Sequence, residues 1–120
     1  MKKTTLVLGA SLNPNRYSNI AIKRLRGKNT VIKAIGLRKG TVSDIDIITE
    51  KTLFKDVDTV TLYLNKKRQE EYYNYILDLN PRRVIFNPGT ENEEFYEMLK
   101  EKGIESEIAC TLVLLSTNQY

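Results

Sequence analysis

The chain has 120 residues, of which 41% are hydrophobic and 28% charged, and an excess of lysine and arginine gives a net charge of +4. This balance is typical of a folded domain and excludes a disordered chain. It favours anionic ligands without selecting one. The chain has no histidine, which excludes a Ser–His or Cys–His catalytic pair, a histidine metal site and a phosphohistidine intermediate.

Length and composition predict one domain over residues 1–120 and a cytoplasmic location. No apolar run approaches the roughly 20 residues of a membrane span, so we expect no membrane partner. The N-terminal residues show no apolar stretch followed by a cleavage site. Cys110 is the only cysteine. It cannot form an internal disulfide, which suits a reducing compartment.

The first predicted unit is a strand, a glycine turn and a helix. Thr4 to Leu8 is almost continuously apolar or β-branched, as in a buried parallel strand, and the strand stops at Gly9. A small-residue turn with Ala10 follows, and then a polar loop. Ser18 is predicted to cap a helix that ends at Gly27.

The loop between this strand and helix favours an anion, phosphate above all. A helix N-terminus presents free N–H groups and a partial positive charge, and Gly9 allows close backbone approach. Ser11 and Asn13 supply neutral donors, and Arg16 supplies a guanidinium that suits phosphate oxygens. The alternative is that this strand–glycine–helix unit binds no ligand. It remains open because the dinucleotide-binding motif GxGxxG and the phosphate-loop motif GxxxxGK[ST] are both absent.

A second strand is predicted over Thr30 to Ile35, and a basic loop bounded by Gly36 and Gly40 follows it. Arg38 and Lys39 in this loop either reach a ligand phosphate or are solvated loop charges. The sequence leaves both readings open.

The next segment, Val42 to Thr49, alternates apolar and polar residues, which predicts a short strand or an edge hairpin. Asp44 and Asp46 would lie on one side of a strand. No third ligand is visible nearby, so we interpret them as solvated turn or edge residues and predict no metal site.

Val57 to Leu64 is a predicted strand rich in β-branched and aromatic residues. Asn65 is predicted to cap a long helix that Pro81 ends. The apolar face of that helix consists of Tyr72, Tyr73, Ile76 and Leu77. We interpret these tyrosines as core or as a dimer face, which makes a homodimer a hypothesis.

The strand Val84 to Phe86 leads into a second turn of interest, Asn87-Pro88-Gly89-Thr90. Thr90 and Glu93 fit a capping box for a helix that Gly103 closes. A last strand is predicted over Ile104 to Ile108. A closing helix or turn packed on the core is predicted over Thr111 to Leu115.

The order of elements predicts an α/β fold with a Rossmann-like, mainly parallel sheet and helices on both faces. Ligands of such sheets bind outside the carboxyl ends of the strands, at the point where the strand order reverses. The segments that follow strand ends should therefore meet at one edge of the sheet. They are Gly9–Arg16, Gly36–Lys39, Leu64–Lys66 and Asn87–Thr90.

The chain resembles the small CoA-binding proteins, which are free-standing relatives of the CoA-binding domain of succinyl-CoA synthetase α subunits. The likeness rests on GASLNPNRYS from Gly9 to Ser18, IFNPGTEN from Ile85 to Asn92, and EIACTLVLL from Glu107 to Leu115. The family usually carries a Val-Asn-Pro-like turn after the second strand, where this chain has the basic loop. The resemblance implies a ligand that is coenzyme A or an acyl-CoA.

The resemblance also implies a set of binding residues. In it, Ser11 and backbone N–H groups would hold the pyrophosphate, and Arg16 would pair with it or with the ribose 3′-phosphate. The matching positions are Gly9, Ala10, Ser11, Asn13, Pro14, Arg16, Ser18, Asn87, Pro88, Gly89, Thr90 and Cys110, and the basic loop adds Arg38 and Lys39. Cys110 could form a mixed disulfide with the CoA thiol, although a small buried apolar role is favoured.

We expect a non-catalytic CoA-binding module, a sensor, carrier or regulator, rather than an enzyme. The ligase relatives use a phosphorylated histidine and a partner subunit, and this chain has no histidine. The candidate loops hold no evident acid–base pair.

Two alternatives remain open. The first is binding of NAD(P) or another nucleotide with a reductase role. It is disfavoured for NAD because Arg38 and Lys39 stand where an acidic residue would hold the ribose. The second is a basic nucleic-acid-binding module. It is disfavoured because the basic clusters fall on different elements and acidic residues interrupt them.

Overall fold

The structure is a computed structural model that describes residues 3–28 and 30–120. Within these residues seven strands form one sheet and five α-helices accompany it. The strands are β1 (Thr4–Ala10), β2 (Val31–Gly36), β3 (Gly40–Val42), β4 (Ile45–Ile48), β5 (Val57–Leu62), β6 (Arg83–Phe86) and β7 (Glu105–Ile108). The helices are α1 (Tyr17–Gly27), α2 (Lys66–Gln69), α3 (Tyr73–Leu79), α4 (Glu93–Glu101) and α5 (Thr111–Ser116).

The sheet has the order β3-β4-β2-β1-β5-β6-β7. Every pairing is parallel except that of β3 with β4, which is antiparallel. The chain builds outward from β1 in one direction and then crosses back to place β5 on its other side. The strand order therefore reverses between β1 and β5. The predicted Rossmann-like, mainly parallel α/β fold is confirmed.

Strand β1 lies in the centre of the sheet because its residues are apolar on both faces. Leu6, Val7 and Leu8 are fully buried. Leu6 and Leu8 belong to one core cluster and Val7 to a second one, as the alternation of side chains along a strand requires. Two separate layers of apolar contacts thus sandwich the sheet.

Helices cover both faces of the sheet, as predicted. On one face α1 contacts α5, and Ile22, Leu25 and Leu115 complete the core cluster that contains Val7. On the other face α3 and α4 pack through Ile76 and Phe95 onto the cluster that contains Leu6. The short apolar segment after Cys110 is a helix, α5, which confirms the prediction of a closing element.

The segment from Gly40 to Ile48 is a hairpin at the edge of the sheet, as predicted. Its two aspartates contact protein groups. Arg26 donates to both carboxylate oxygens of Asp44 at 2.7 Å, and the Thr41 hydroxyl donates to Asp46. These contacts agree with the interpretation of the aspartates as turn and edge residues.

The predicted cap at Ser18 is wrong, because α1 begins at Tyr17. The N–H of Arg16 donates to the carbonyl of Asn13, and the resulting turn brings the chain into helix early. Arg16 occupies the N-cap position without a side-chain bond to the helix. Ser18 lies inside the first turn, with a relative exposure of 3%.

The predicted capping box at Thr90 is also wrong. Asn92 caps α4, and its Oδ1 accepts the N–H of Phe95 at 3.2 Å. The hydroxyl of Thr90 turns inward and donates to the carbonyl of Asn87. Two further helix ends are as predicted: Asn65 caps α2, and Gly103 follows α4 with a φ of +73°.

The single long helix predicted after Asn65 is interrupted. A 3₁₀ turn over Glu70–Tyr72 separates α2 from α3, and β5 stops at Leu62, two residues earlier than predicted. Tyr73 stacks on Phe95 and Tyr75 is buried. The homodimer stays a hypothesis.

No helix in the part of the chain that the structure describes is long and apolar enough to cross a membrane.

Candidate functional site

A cleft of about 770 Å³ opens at the carboxyl edge of the sheet, where the strand order reverses. The loops after β1, β2, β5 and β6 form it, together with the start of α1 and the 3₁₀ turn. The residues that line it are Gly9, Ala10, Ser11, Leu12, Asn13, Arg16, Tyr17, Ser18, Ile35, Gly36, Leu37, Arg38, Tyr63, Leu64, Asn65, Arg68, Tyr72, Pro88, Gly89 and Thr90.

Two glycines allow the strands to approach one another at the base of the cleft. Gly9 has a φ of +95°, and a Cβ there would lie 3.0 Å from the backbone of Tyr63. A Cβ at Gly36 would overlap the carbonyl oxygen of Ala10. A side chain at either position would push β1 away from a neighbouring strand.

The loop between β1 and α1 is shaped by its own side chains. Ser11 Oγ accepts the N–H of Asn13 at 3.1 Å, and Asn13 Oδ1 accepts the N–H of Asn15 at 2.9 Å. Asn19, buried in α1, donates its Nδ2 to the carbonyl of Ser11 at 2.9 Å. The loop is therefore anchored to the helix that it precedes.

The start of α1 presents an uncompensated positive end to the cleft. Arg16 is the N-cap residue, and the first turn holds no acidic residue. The N–H groups of Tyr17 and Ser18 precede the first intrahelical bond and have no acceptor among the described residues. Ser18 is a buried residue that lines the cleft, and its hydroxyl makes no hydrogen bond to any described residue. Donors and positive charge converge there, as anion binding requires.

Asn87, a predicted binding residue, is occupied by internal contacts. Its Nδ2 donates to the hydroxyl of Thr61 at 2.7 Å and to the carbonyl of Leu62 at 2.8 Å, and its Oδ1 accepts the N–H of Thr111 at 2.8 Å. The side chain is 3% exposed. Asn87 therefore joins β5, β6 and α5 beneath the cleft.

Gln69 joins the loop after β5 to the loop after β6. Its buried Nε2 donates to the carbonyls of Leu64 and Thr90, each at 2.8 Å, and its Oε1 accepts from Asn92 at 2.9 Å. Leu64 and Thr90 both line the cleft. This amide consequently fixes the distance between the loops after β5 and β6.

Most of the residues predicted for the site come together in the cleft. The lining contains Gly9, Ala10, Ser11, Asn13, Arg16, Ser18, Arg38, Pro88, Gly89 and Thr90. Outside the lining lie Pro14, Lys39, Asn87 and Cys110. Lys39 lies 3.7 Å from Glu50 at the surface, and Cys110 is the half-buried N-cap residue of α5.

Several lining residues were not predicted as site residues, although five of them fall in segments that were expected at this edge: Leu12, Gly36, Leu37, Leu64 and Asn65. The others are Tyr17, Ile35, Tyr63, Arg68 and Tyr72. Leu12, Tyr17 and Leu37 are exposed, at 42%, 71% and 71%, and they give the rim of the cleft an apolar character. For Leu12 and Leu37 the available signal was their position in loops that follow strands β1 and β2.

The charge in the cleft is positive. Arg16, Arg38 and Arg68 line it, and in residues 3–28 and 30–120 no carboxylate lies within 4.0 Å of their guanidinium groups. No aspartate or glutamate is among the lining residues described. The cleft is thus built for a negatively charged ligand with an apolar part.

The sequence profile of the CoA binding domain matches residues 3–116. The chain belongs to this CoA-binding domain family. The match covers all of the elements that form the cleft. None of the functionally curated proteins compared with the chain is significantly similar to it.

Solved structures share the fold of this CoA-binding domain. A crystallised protein described as uncharacterized is 50% identical, with a TM-score of 0.96 over 100% of this chain and 99% of its own. A conserved hypothetical protein from Pyrococcus furiosus is 27% identical, with a TM-score of 0.76 over 89% and 92%. A Thermus thermophilus protein at 22% identity has a TM-score of 0.87 over 99% and 91%, which shows the fold alone.

Tyr63 gives this CoA-binding domain a buried phenol at the cleft. Its hydroxyl has no hydrogen-bond partner among the described residues. Burial raises the pKa of Tyr63 to about 12, and the nearby hydroxyls of Thr61 and Thr111 offset this only in part. Tyr63 is therefore a neutral group at physiological pH.

The raised tyrosine pKa values predict a loss of stability in alkali. The pKa values of Tyr63 and Tyr75 rise from 10.0 to about 12 on folding, so between these values the folded chain holds protons that the unfolded chain has lost. We expect the free energy of unfolding to fall as the pH rises through this window. Urea denaturation at successive pH values measures the slope. Tyr63→Phe should flatten the slope, whereas Tyr17→Phe, at an exposed position, should not; equal slopes for wild type and Tyr63→Phe would contradict the assignment.

Proposed function

We propose that this chain binds coenzyme A or an acyl-CoA in the cleft at the carboxyl edge of the sheet. The observation that carries the proposal is the start of α1. There Arg16, the free N–H groups of Tyr17 and Ser18, and the Ser18 hydroxyl meet without a compensating acid. A diphosphate supplies the negative charge and the acceptors that this arrangement lacks. Membership of the CoA-binding domain family names the compound.

The remaining walls suit the other parts of CoA. The apolar rim of Leu12, Tyr17 and Leu37 offers contact area for a base. On the opposite side, Pro88 and Gly89 border an opening along which the pantetheine arm would run. The Gly89 N–H already donates to the carboxylate of Glu91 at 2.9 Å, so we assign this side a role in shape rather than in charge.

We further propose a non-catalytic role, as a sensor, carrier or regulator in the cytoplasm. The chain has no histidine, and the titratable groups of the lining are arginines and tyrosines, which do not make an acid–base pair for acyl or phosphoryl transfer near neutral pH. The cytoplasmic location rests on the single cysteine. A mixed disulfide of Cys110 with CoA stays the disfavoured interpretation, and the position of Cys110 outside the cleft lining does not support it.

Calorimetric titration with CoA tests the proposal, with NAD as the competing nucleotide. We expect CoA to bind and NAD to bind more weakly, because Arg38 follows β2 where an acidic residue would hold the NAD ribose. Tighter binding of NAD than of CoA would overturn the proposal in favour of a dinucleotide-dependent reductase. Absence of binding to either nucleotide would overturn it as well.

Substitution of Arg16 should weaken CoA binding strongly. Arg16→Ala removes the guanidinium beside the start of α1 and should lower the affinity by about 1.5–3 kcal/mol, the range for hydrogen bonds to charged groups. Arg24→Ala is the matched control, because Arg24 is exposed on the same helix outside the cleft. Calorimetry on both variants measures the difference. Unchanged affinity in Arg16→Ala would remove Arg16 from the site.

A further inference from the structure

Asn19 is a buried polar residue of α1 whose amide is only half satisfied. The residue is 2% exposed. Its Nδ2 donates to the carbonyl of Ser11 at 2.9 Å, but its Oδ1 has no hydrogen-bond partner among the described residues. A buried acceptor without a donor lowers the stability of the folded chain. Stability alone therefore does not account for an asparagine at this position, and the bond to Ser11 is what remains to be explained.

The bond from Asn19 fixes the orientation of one peptide group in the β1–α1 loop. Within the described residues every peptide bond is trans, and in a planar trans unit the C=O and the N–H point in opposite directions. The carbonyl of Ser11 points to Asn19, so the N–H of Leu12, which belongs to the same unit, points away from Asn19. Ser11 and Leu12 line the cleft and Asn19 does not. The Leu12 N–H is therefore directed to the cleft side of the loop.

The N–H of Leu12 has no acceptor among the described residues. The next donors along the loop are bonded internally, because the N–H of Asn13 donates to Ser11 Oγ and that of Asn15 to Asn13 Oδ1. Leu12 thus resembles Tyr17 and Ser18 at the start of α1, whose N–H groups also lack an acceptor in this part of the chain. Successive unpaired backbone N–H groups around a concave surface form an anion-binding arrangement.

We propose that Asn19 is a positioning residue of the anion site, because it directs the N–H of Leu12 at the diphosphate that the start of α1 binds. The inference rests on the proposed function and deepens it. Without the bond from Asn19, the peptide between Ser11 and Leu12 is free to rotate. Rotation by half a turn would present the Ser11 carbonyl to the ligand, and a carbonyl oxygen repels a negatively charged phosphate where an N–H binds it.

The first test follows the amide of Leu12 directly and requires no variant. In two-dimensional amide NMR spectra of wild type, titration with CoA should move the Leu12 amide proton downfield, as a new hydrogen bond to an anion does. The amide of Asn15 is the control, since its N–H is already bonded within the loop, and it should move much less. A Leu12 resonance that stays in place while CoA binds would overturn the inference.

The second test removes the bond from Asn19. Asn19→Ala should weaken CoA binding about tenfold, as expected when one hydrogen bond to a charged group is lost, and should reduce the shift of the Leu12 amide. Ile22→Val is the matched control, because it removes a methyl group from a fully buried core position of the same helix. It should lower the urea midpoint yet leave the CoA affinity within about twofold. Calorimetry gives the affinities, and an unchanged stoichiometry shows that each variant is folded.

The outcomes separate this inference from the proposed function. If Asn19→Ala and Ile22→Val weaken CoA binding equally, Asn19 has a structural role only, and the inference fails while the proposed function stands. Unchanged CoA affinity in Asn19→Ala has the same meaning. If Asn19→Ala does not fold, the wild-type Leu12 resonance decides. If wild type does not bind CoA, the proposed function fails and the inference with it.

Discussion

The Asn87→Asp variant is expected to lose about 3–5 kcal/mol of its free energy of unfolding at neutral pH, the range for an uncompensated buried charge. The substitution preserves size but replaces a donor by an acceptor. The new carboxylate oxygen would face the carbonyl of Leu62, which now accepts Nδ2 at 2.8 Å. The N–H of Thr111 and, after rotation of its hydroxyl, Thr61 would be the donors left to the side chain, and neither carries a charge. Asn87 is 3% exposed, so water cannot replace the missing partner.

The loss in Asn87→Asp should depend on pH. Burial against a carbonyl raises the pKa of the new carboxyl group in the folded state above its unfolded value. The penalty is therefore complete above the folded pKa and fades as the pH falls toward the ordinary aspartate range of about 3.9. Urea denaturation of the variant and wild type at neutral and acidic pH measures this. Asn74→Asp, at an exposed position of α3, is the matched control. A loss that is the same at both pH values would show that a buried charge is not its cause.

The Gln69→Leu variant should be destabilised by about 2–4 kcal/mol, because it leaves two buried carbonyls without their donor at about 1–3 kcal/mol each, partly offset by the added apolar contact. These are the carbonyls of Leu64 and Thr90, and Asn92 also loses its acceptor. Because Gln69 is fully buried, no solvent compensates. Chemical denaturation gives the stability change. Gln119→Leu, the exposed counterpart, should stay within about 0.5 kcal/mol of wild type; a similar loss in both variants would contradict the assigned role of Gln69.

The sheet could be predicted from the sequence because its central strands are continuously apolar. Leu6 to Leu8 and Val84 to Phe86 are buried on both faces, and such runs bounded by glycine, asparagine or proline have few alternatives to a parallel strand. The place where the loops meet followed from the same pattern, since carboxyl ends of parallel strands share an edge. Both predictions depend on regularities that local sequence carries.

The roles of individual polar residues could not be predicted in the same way, because they depend on partners distant in the sequence. Asn87 reads like a ligand contact in its turn, yet its bonds go to Thr61 and Thr111. Ser18 is a good cap by residue type, but the Asn13 turn starts the helix before it. In the run Lys66-Lys67-Arg68, which residue faces the cleft depends on where α2 begins and on the 3₁₀ turn after it.

The amide of Gln69 has a thermodynamic consequence for any molecule that occupies the cleft. Because it ties the loop after β5 to the loop after β6, the order of this wall is established when the chain folds, and binding need not reduce its conformational entropy again. The opposite wall, from Ser11 to Arg16, is held by short-range turns within the loop and, at its first residue only, by the bond from Asn19 to the carbonyl of Ser11. Rigidification on binding should thus be concentrated in one wall, so the affinity of the cleft can be tuned by stiffening the β1–α1 loop without altering a single contact to the bound molecule.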